Sequence, residues 1–271
     1  MNITLDNIRT QDFDSIPIQE EWNMPEKTEN RMHSIHAYPA KFPAFITTKA
    51  IEKAEEQNIH IQTVADIFCG CGTVAFETVS SGKQFWGWDI NPVATLIAEV
   101  KSHVYDDKRL LNYYEQIQEA YKIAVPDRNN PICSNERIQY WFDPQHIDDL
   151  WRLYSSITAV VRVEKYKRFF LCAFSNILKP CSRWLTKSIK PQVDPNKNPK
   201  DVLAAFDGQV KMMCKANQSN VGKRYGKANI KTANMLGYRI NHPFVDLVVT
   251  SPPYVTSYEY ADLHQLSTLW L

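Results

Sequence analysis

The stretch Val64-Ala65-Asp66-Ile67-Phe68-Cys69-Gly70-Cys71-Gly72-Thr73 limits the possible folds more than any other. An apolar, β-branched run ends in an acidic residue, two glycines follow at alternate positions, and an apolar helical pattern takes over at 74–79. Glycine lets the backbone reach positive φ and approach a ligand closely. The N-terminus of the helix that follows offers unpaired N–H groups. Strand, glycine loop and helix in this order open a parallel α/β unit. A second strand, Gln84-Phe85-Trp86-Gly87-Trp88, ends at Asp89, twenty-three positions after Asp66. An acidic residue at that distance, closing the second strand, sits where nucleotide-type α/β folds hold a ribose diol. The third glycine of the dinucleotide fingerprint is missing, which argues against a nicotinamide or flavin enzyme.

Far downstream, Asp246-Leu247-Val248-Val249-Thr250 reads as a short buried strand and runs into Ser251-Pro252-Pro253-Tyr254. Two prolines stop regular structure and stiffen the backbone. The loop presents carbonyl acceptors with no competing proline N–H, and an aromatic face follows at once. A base extruded from a duplex needs both, acceptors for its amino group and a ring to stack on.

These residues resemble the S-adenosylmethionine-dependent DNA amino-methyltransferases, the cytosine-N4 and adenine-N6 group. The loop from Asp66 to Thr73 resembles that family's D-x-F-x-G-S-G-T cofactor loop. The run Thr250-Ser251-Pro252-Pro253-Tyr254 resembles its catalytic motif, and His36-Ala37-Tyr38-Pro39-Ala40-Lys41-Phe42-Pro43 its additional cofactor motif. The resemblance covers the N-terminal third and the last tenth of the chain. It implies a doubly wound, Rossmann-like α/β sheet with S-adenosylmethionine as cofactor and duplex DNA with a flipped base as substrate. It also implies a restriction–modification setting with a cognate endonuclease. Tyr38, Lys41, Asp66, Phe68, Gly70, Gly72, Thr73 and Asp89 become candidate cofactor contacts. Ser251, Pro252, Pro253 and Tyr254 become candidate catalytic residues. Serine at position 251 is typical of the cytosine-N4 enzymes, and Asp or Asn of the adenine-N6 enzymes, the runner-up. In the implied mechanism the exocyclic amine attacks the sulfonium methyl directly. A cytosine-C5 enzyme needs a Pro-Cys nucleophile after the fourth strand, and Pro180-Cys181 lies far from it, so Cys181 reads as structural. An RNA or protein-amide methyltransferase shares the Pro-Pro-Tyr logic but prefers Asn or Asp at 251. A non-catalytic DNA-binding remnant has no need to keep both motifs.

The formal net charge is only +1, yet residues 162–231 carry 16 Lys and Arg against 4 Asp and Glu. Clustered basic residues are the footprint of phosphate binding. Trp184, Tyr225 and Tyr238, interleaved with them, strengthen that expectation. The chain divides into an acidic arm (1–30), a cofactor-binding half (31–126), a largely helical basic insertion that is the candidate target-recognition region (127–240), and the catalytic strand and loop (241–271). Helical spacing predicts helices over 45–57, 92–101, 110–123, from Asp143-Pro144 onward, over 169–178 and over 202–214. The 169–178 helix is apolar nearly all round, and the stripe Tyr113, Tyr114, Ile117 and Tyr121 reads as core. Residues 187–200, with three prolines, must be loop, and 218–231, rich in Gly, Asn and Lys, reads as a DNA-facing loop.

Six cysteines form neither a CxxC pair nor a zinc spacing, and Cys69 and Cys71 read as small side chains suited to a tight loop. His33 and His36 are two potential ligands, too few for a metal site. No apolar run is long enough to span a membrane and no export signal opens the chain, so a cytoplasmic setting is expected. Seventeen residues follow Tyr254, ending in Leu269-Trp270-Leu271. The family sheet normally continues with three more strands after the catalytic loop. The sequence therefore predicts a sheet incomplete at the C-terminus, in a fragment or in one half of an enzyme completed by a second polypeptide.

Overall fold

Four parallel strands carry the architecture. The computed structural model describes residues 22, 28–38, 41, 43–188, 190–223, 225–237, 243–253, 262 and 264–271. Strand β1 (Thr63–Asp66) pairs with β2 (Gln84–Asp89) from Thr63↔Gln84 to Asp66↔Gly87. On its other side β1 pairs with β4 (Leu247–Val248), Ala65 opposite Val248. Strand β3 (Ala228–Thr232) lies beyond β2, from Phe85↔Ala228 to Asp89↔Thr232, giving the order β3-β2-β1-β4. This is a Rossmann-like sheet. Its strand order reverses between β1 and β4, and ligands bind outside the carboxyl ends of strands at such a switch point.

Among the described residues, five helices begin at a short polar side chain that caps them. Helix α1 (Ala44–Glu56) precedes β1, and α2 (Thr73–Ser80) is the crossover from β1 to β2. In α3 (Pro92–Lys101), the Asn91 side chain accepts from the Val93 and Ala94 N–H groups and Pro92 occupies the first turn. Asp106, Asn135 and Asp143 cap α4 (Asp107–Ile123), α5 (Glu136–Trp141) and α6 (Pro144–Val160) in the same way. Helix α7 (Glu164–Leu178) follows, then α8 (Val202–Gln218), capped by Asp201, and α9 (Gln265–Trp270). The α7 helix is buried as its composition requires: Phe169, Phe170 and Phe174 are fully enclosed, with Phe206 of α8 and Trp270 of α9 against them. Tyr114 and Ile117 of α4 are core, and Tyr113 and Tyr121 pack against it half-buried. One apolar cluster runs from α3 through α4–α9 and includes Phe76 of α2, so the later helices are joined to the two crossover helices by packing. Among the described residues no helix is long and apolar enough to cross a membrane.

Three sequence expectations need correction. Residues 228–231 are not loop but most of β3. Their polar side chains deceive because every residue of this strand stays partly exposed on a sheet edge. Trp184 is no nucleic-acid platform: it is 2% exposed and stacked on Trp141, while Tyr225 is half-buried against the core. Tyr238 lies outside the described residues. Strand β4 is shorter than 246–250 and is an outer strand rather than a buried one, with Val248 54% exposed and Val249 alone well buried.

The loop before α2 depends on Gly72, whose φ is +74° and whose hypothetical Cβ would lie 2.5 Å from the Ala98 Cβ. Gly72→Ala therefore combines left-handed strain with overpacking against α3 and should cost about 2–5 kcal/mol in denaturant unfolding. Gly82→Ala, also at positive φ but with nothing within 4 Å, should cost only the strain part, about 1–2 kcal/mol.

Candidate functional site

The carboxyl ends of β1, β2 and β4 open into one cavity of about 760 Å³. Asp66 and Asp89 face it from the ends of β1 and β2, and Ser251, Pro252 and Pro253 from the loop after β4. The two motifs, with Asp66 and Thr250 184 positions apart, thus meet in one space. A hydrogen bond joins them directly: the Thr250 hydroxyl donates to Asp66 Oδ1 over 2.7 Å. The Phe68 amide donates to the same oxygen at 3.0 Å. Asp66 Oδ2 has no donor among the described residues. Burial pushes the Asp66 carboxyl up to about 6, against the pull of the Thr250 and Phe68 hydrogen bonds.

Asp89 braces the glycine loop. Its Oδ2 accepts from the Gly70 amide at 2.9 Å and its Oδ1 from the Asn91 amide at 2.8 Å. Burial raises its carboxyl as well, opposed by these amides. Gly70 lines the cavity at φ +48° beside Tyr38. The α2 N-terminus has no side-chain cap, so its first amides remain for a ligand.

The other predicted residues divide. Tyr38, Phe68 and Thr73 line the cavity, and the Tyr38 ring stacks on His264 at 4.9 Å. Lys41 also lines it, but its ammonium is paired with Glu29 at 2.7 Å. Gly72 does not line the cavity; it seats the loop on α3. Tyr254 lies outside the described residues. Cys181 is fully buried, away from the cavity, with its thiol pushed up to about 12 by burial. His33 pairs with Glu77 and His36 bonds to Ser175, and among the described residues no three potential metal ligands cluster.

Among the lining residues that sequence reasoning did not name, four carry a distinct chemistry. Ile90 and Leu236 are large apolar side chains left 75% and 88% exposed at the cavity, which suits them to the faces of a planar ligand. Ile90 directly follows Asp89, a signal available in the sequence, whereas Leu236 carried none. Arg137 of α5 brings a cation from the insertion into the cavity, and His264 is held neutral by burial, its imidazole lowered to about 4.

The Asp66 carboxyl gives a stability test. Between about pH 4 and pH 6 the folded chain holds a proton on Asp66 that the unfolded chain has released, so this group makes stability fall as pH rises through that window. Asp66→Asn should flatten that slope, worth up to about 3 kcal/mol, when unfolding curves of both proteins are compared across the window.

No family model matches the chain. Over 265 residues it is 26% identical to the type II methyltransferase M.MvaI of Kocuria varians, a match that covers 90% of this chain and 58% of the relative's length. The chain thus spans little more than half the length of the relative to which it is similar.

Proposed function

We propose that the chain binds S-adenosylmethionine in this cavity and carries the catalytic loop of a DNA amino-methyltransferase that acts on cytosine N4. The observation that carries this reading is the shared cavity, with Asp66 and Asp89 facing Ser251-Pro252-Pro253 and Thr250 bonded to Asp66. The similarity to a type II methyltransferase supports the reaction class. Serine at 251, rather than Asp or Asn, supports cytosine N4 over adenine N6.

The residues present fit the cofactor. It is a cation at its sulfonium and ammonium, and two desolvated carboxylates with raised pKa gain from such a neighbour. In this reading Asp66 Oδ2, with no donor among the described residues, takes the ammonium, Asp89 the ribose diol, and Ile90 with Leu236 the faces of the adenine. The cofactor supplies an electrophilic methyl group. The chain's part is to position the base amine against it, which accounts for much of the acceleration. The Ser251 hydroxyl and the Pro252 carbonyl accept the amino hydrogens and build negative character on nitrogen, while Tyr254 stacks on the flipped ring. Exposed basic residues of the insertion, among them Lys187 and Lys190, supply phosphate contacts to duplex DNA. A restriction–modification role follows from the same reading.

Methyl transfer from labelled S-adenosylmethionine to mixed-sequence duplex DNA, with nucleoside analysis, tests this directly. N4-methylcytosine is expected; N6-methyladenine would overturn the base assignment, and no transfer together with no cofactor binding would overturn the reading. Tyr254→Ala should abolish transfer and leave cofactor affinity unchanged in calorimetry. Asp89→Ala should weaken cofactor binding by about 10- to 100-fold.

A further inference from the structure

Lys101, the last residue of α3, is 1% exposed, and its ammonium has a single hydrogen-bond acceptor among the described residues, the Cys71 thiol at 3.3 Å. Among the described residues no carboxylate is bonded to it. An ammonium taken out of water with one soft acceptor is costly to bury, and nothing in the proposed transfer uses it. Cys71 is 4% exposed, stands beside Gly72 in the glycine loop, and lines the cavity. Burial raises the thiols of Cys69, Cys133, Cys172, Cys181 and Cys214, and none of these has an amine in hydrogen-bonding reach among the described residues. A nearby cation favours the nucleophilic thiolate. The charge of Lys101 also reaches the Cys172 thiol, but among the described residues Cys71 is set apart from the other five by the direct amine–sulfur hydrogen bond.

We infer that Cys71 and Lys101 form an oxidant-sensitive thiol–amine pair that peroxide converts into a covalent bond between the glycine loop and α3. In the thiolate–ammonium form, the Cys71 sulfur attacks one oxygen of hydrogen peroxide and the O–O bond breaks. A sulfenic acid forms, and the departing hydroxide takes a proton from Lys101, leaving water and a free amine. The Lys101 nitrogen then attacks sulfur, the S–O bond breaks, and the sulfenic oxygen leaves as a second water with the amine proton. Sulfur loses two electrons and peroxide is reduced. Sulfenic acids condense with nitrogen in this way, and thiols reverse the product. The bond would draw the loop onto α3 and close it to a ligand, a consequence that rests on the cofactor reading above; the bond itself does not.

The test is peptide mapping of the intact chain after graded hydrogen peroxide, with and without S-adenosylhomocysteine. The expected product is a cross-linked pair containing Cys71 and Lys101, lighter by two hydrogens, absent from Cys71→Ser and Lys101→Gln, and reversed by dithiothreitol. The oxidised chain should bind S-adenosylhomocysteine at least about tenfold more weakly. Cys71 passing to sulfinic acid with Lys101 unmodified, or remaining reduced while the other cysteines oxidise, would overturn the pair. S-adenosylhomocysteine should slow the reaction by covering Cys71; a cross-link formed at the same rate in its presence would keep the pair and remove the cofactor from this cavity.

Discussion

The pairing of β4 with β1 is the contact on which the candidate site depends. It is short, two residues on β4, and is clamped at both ends. At the start, the Asp246 carboxylate accepts from the Gln62 and Thr63 amides at 2.9 and 2.8 Å, and these hydrogen bonds hold its pKa down. At the end, Thr250 bonds to Asp66. The register so fixed puts the Ser251-Pro252-Pro253 loop level with the glycine loop. A slip of one residue would turn every side chain to the opposite face and take Thr250 away from Asp66.

Around that pair the cavity is built from groups under electrostatic tension. Asp66 and Asp89 are desolvated, and hydrogen bonds from Thr250 and from the Phe68, Gly70 and Asn91 amides offset the cost only in part. Such tension is what a binding site stores when a ligand is to relieve it. The insertion contributes one wall through Arg137, whose guanidinium meets Gln265, while Gln265 also accepts from the Trp141 indole. Helices α5 and α9 are thus tied together at the cavity edge.

The sequence was legible where one local cause decides the structure. The positive-φ glycine loop, the cap-and-proline starts of α3 and α6, and the apolar α7 follow from their own residues. It misled where the environment decides. Ala228–Thr232 looks like loop because its polar composition is tolerated only on an edge. The basic charge of 162–231 looks like a nucleic-acid surface, yet much of it is structural: the Lys165, Lys179 and Lys197 ammonium groups donate to backbone carbonyls, with burial lowering each pKa. Arg168 is paired with Glu99. Trp184 lies inside, against Trp141, because an indole can fill a core that its sequence neighbours do not announce.

By itself the sequence determined the parallel α/β class, the glycine loop and the proline loop and the residue types in them, because strand periodicity, glycine conformation and proline stiffness act within a few residues. Only the tertiary structure decided that those loops share one cavity, that Gly72 serves packing while Gly70 faces the ligand space, that Ile90 and Leu236 stand exposed opposite the carboxylates, and that Lys101 lies beneath Cys71. Each of these depends on which distant segment fills the neighbouring volume. That choice is made by long-range packing and desolvation, which no local pattern encodes.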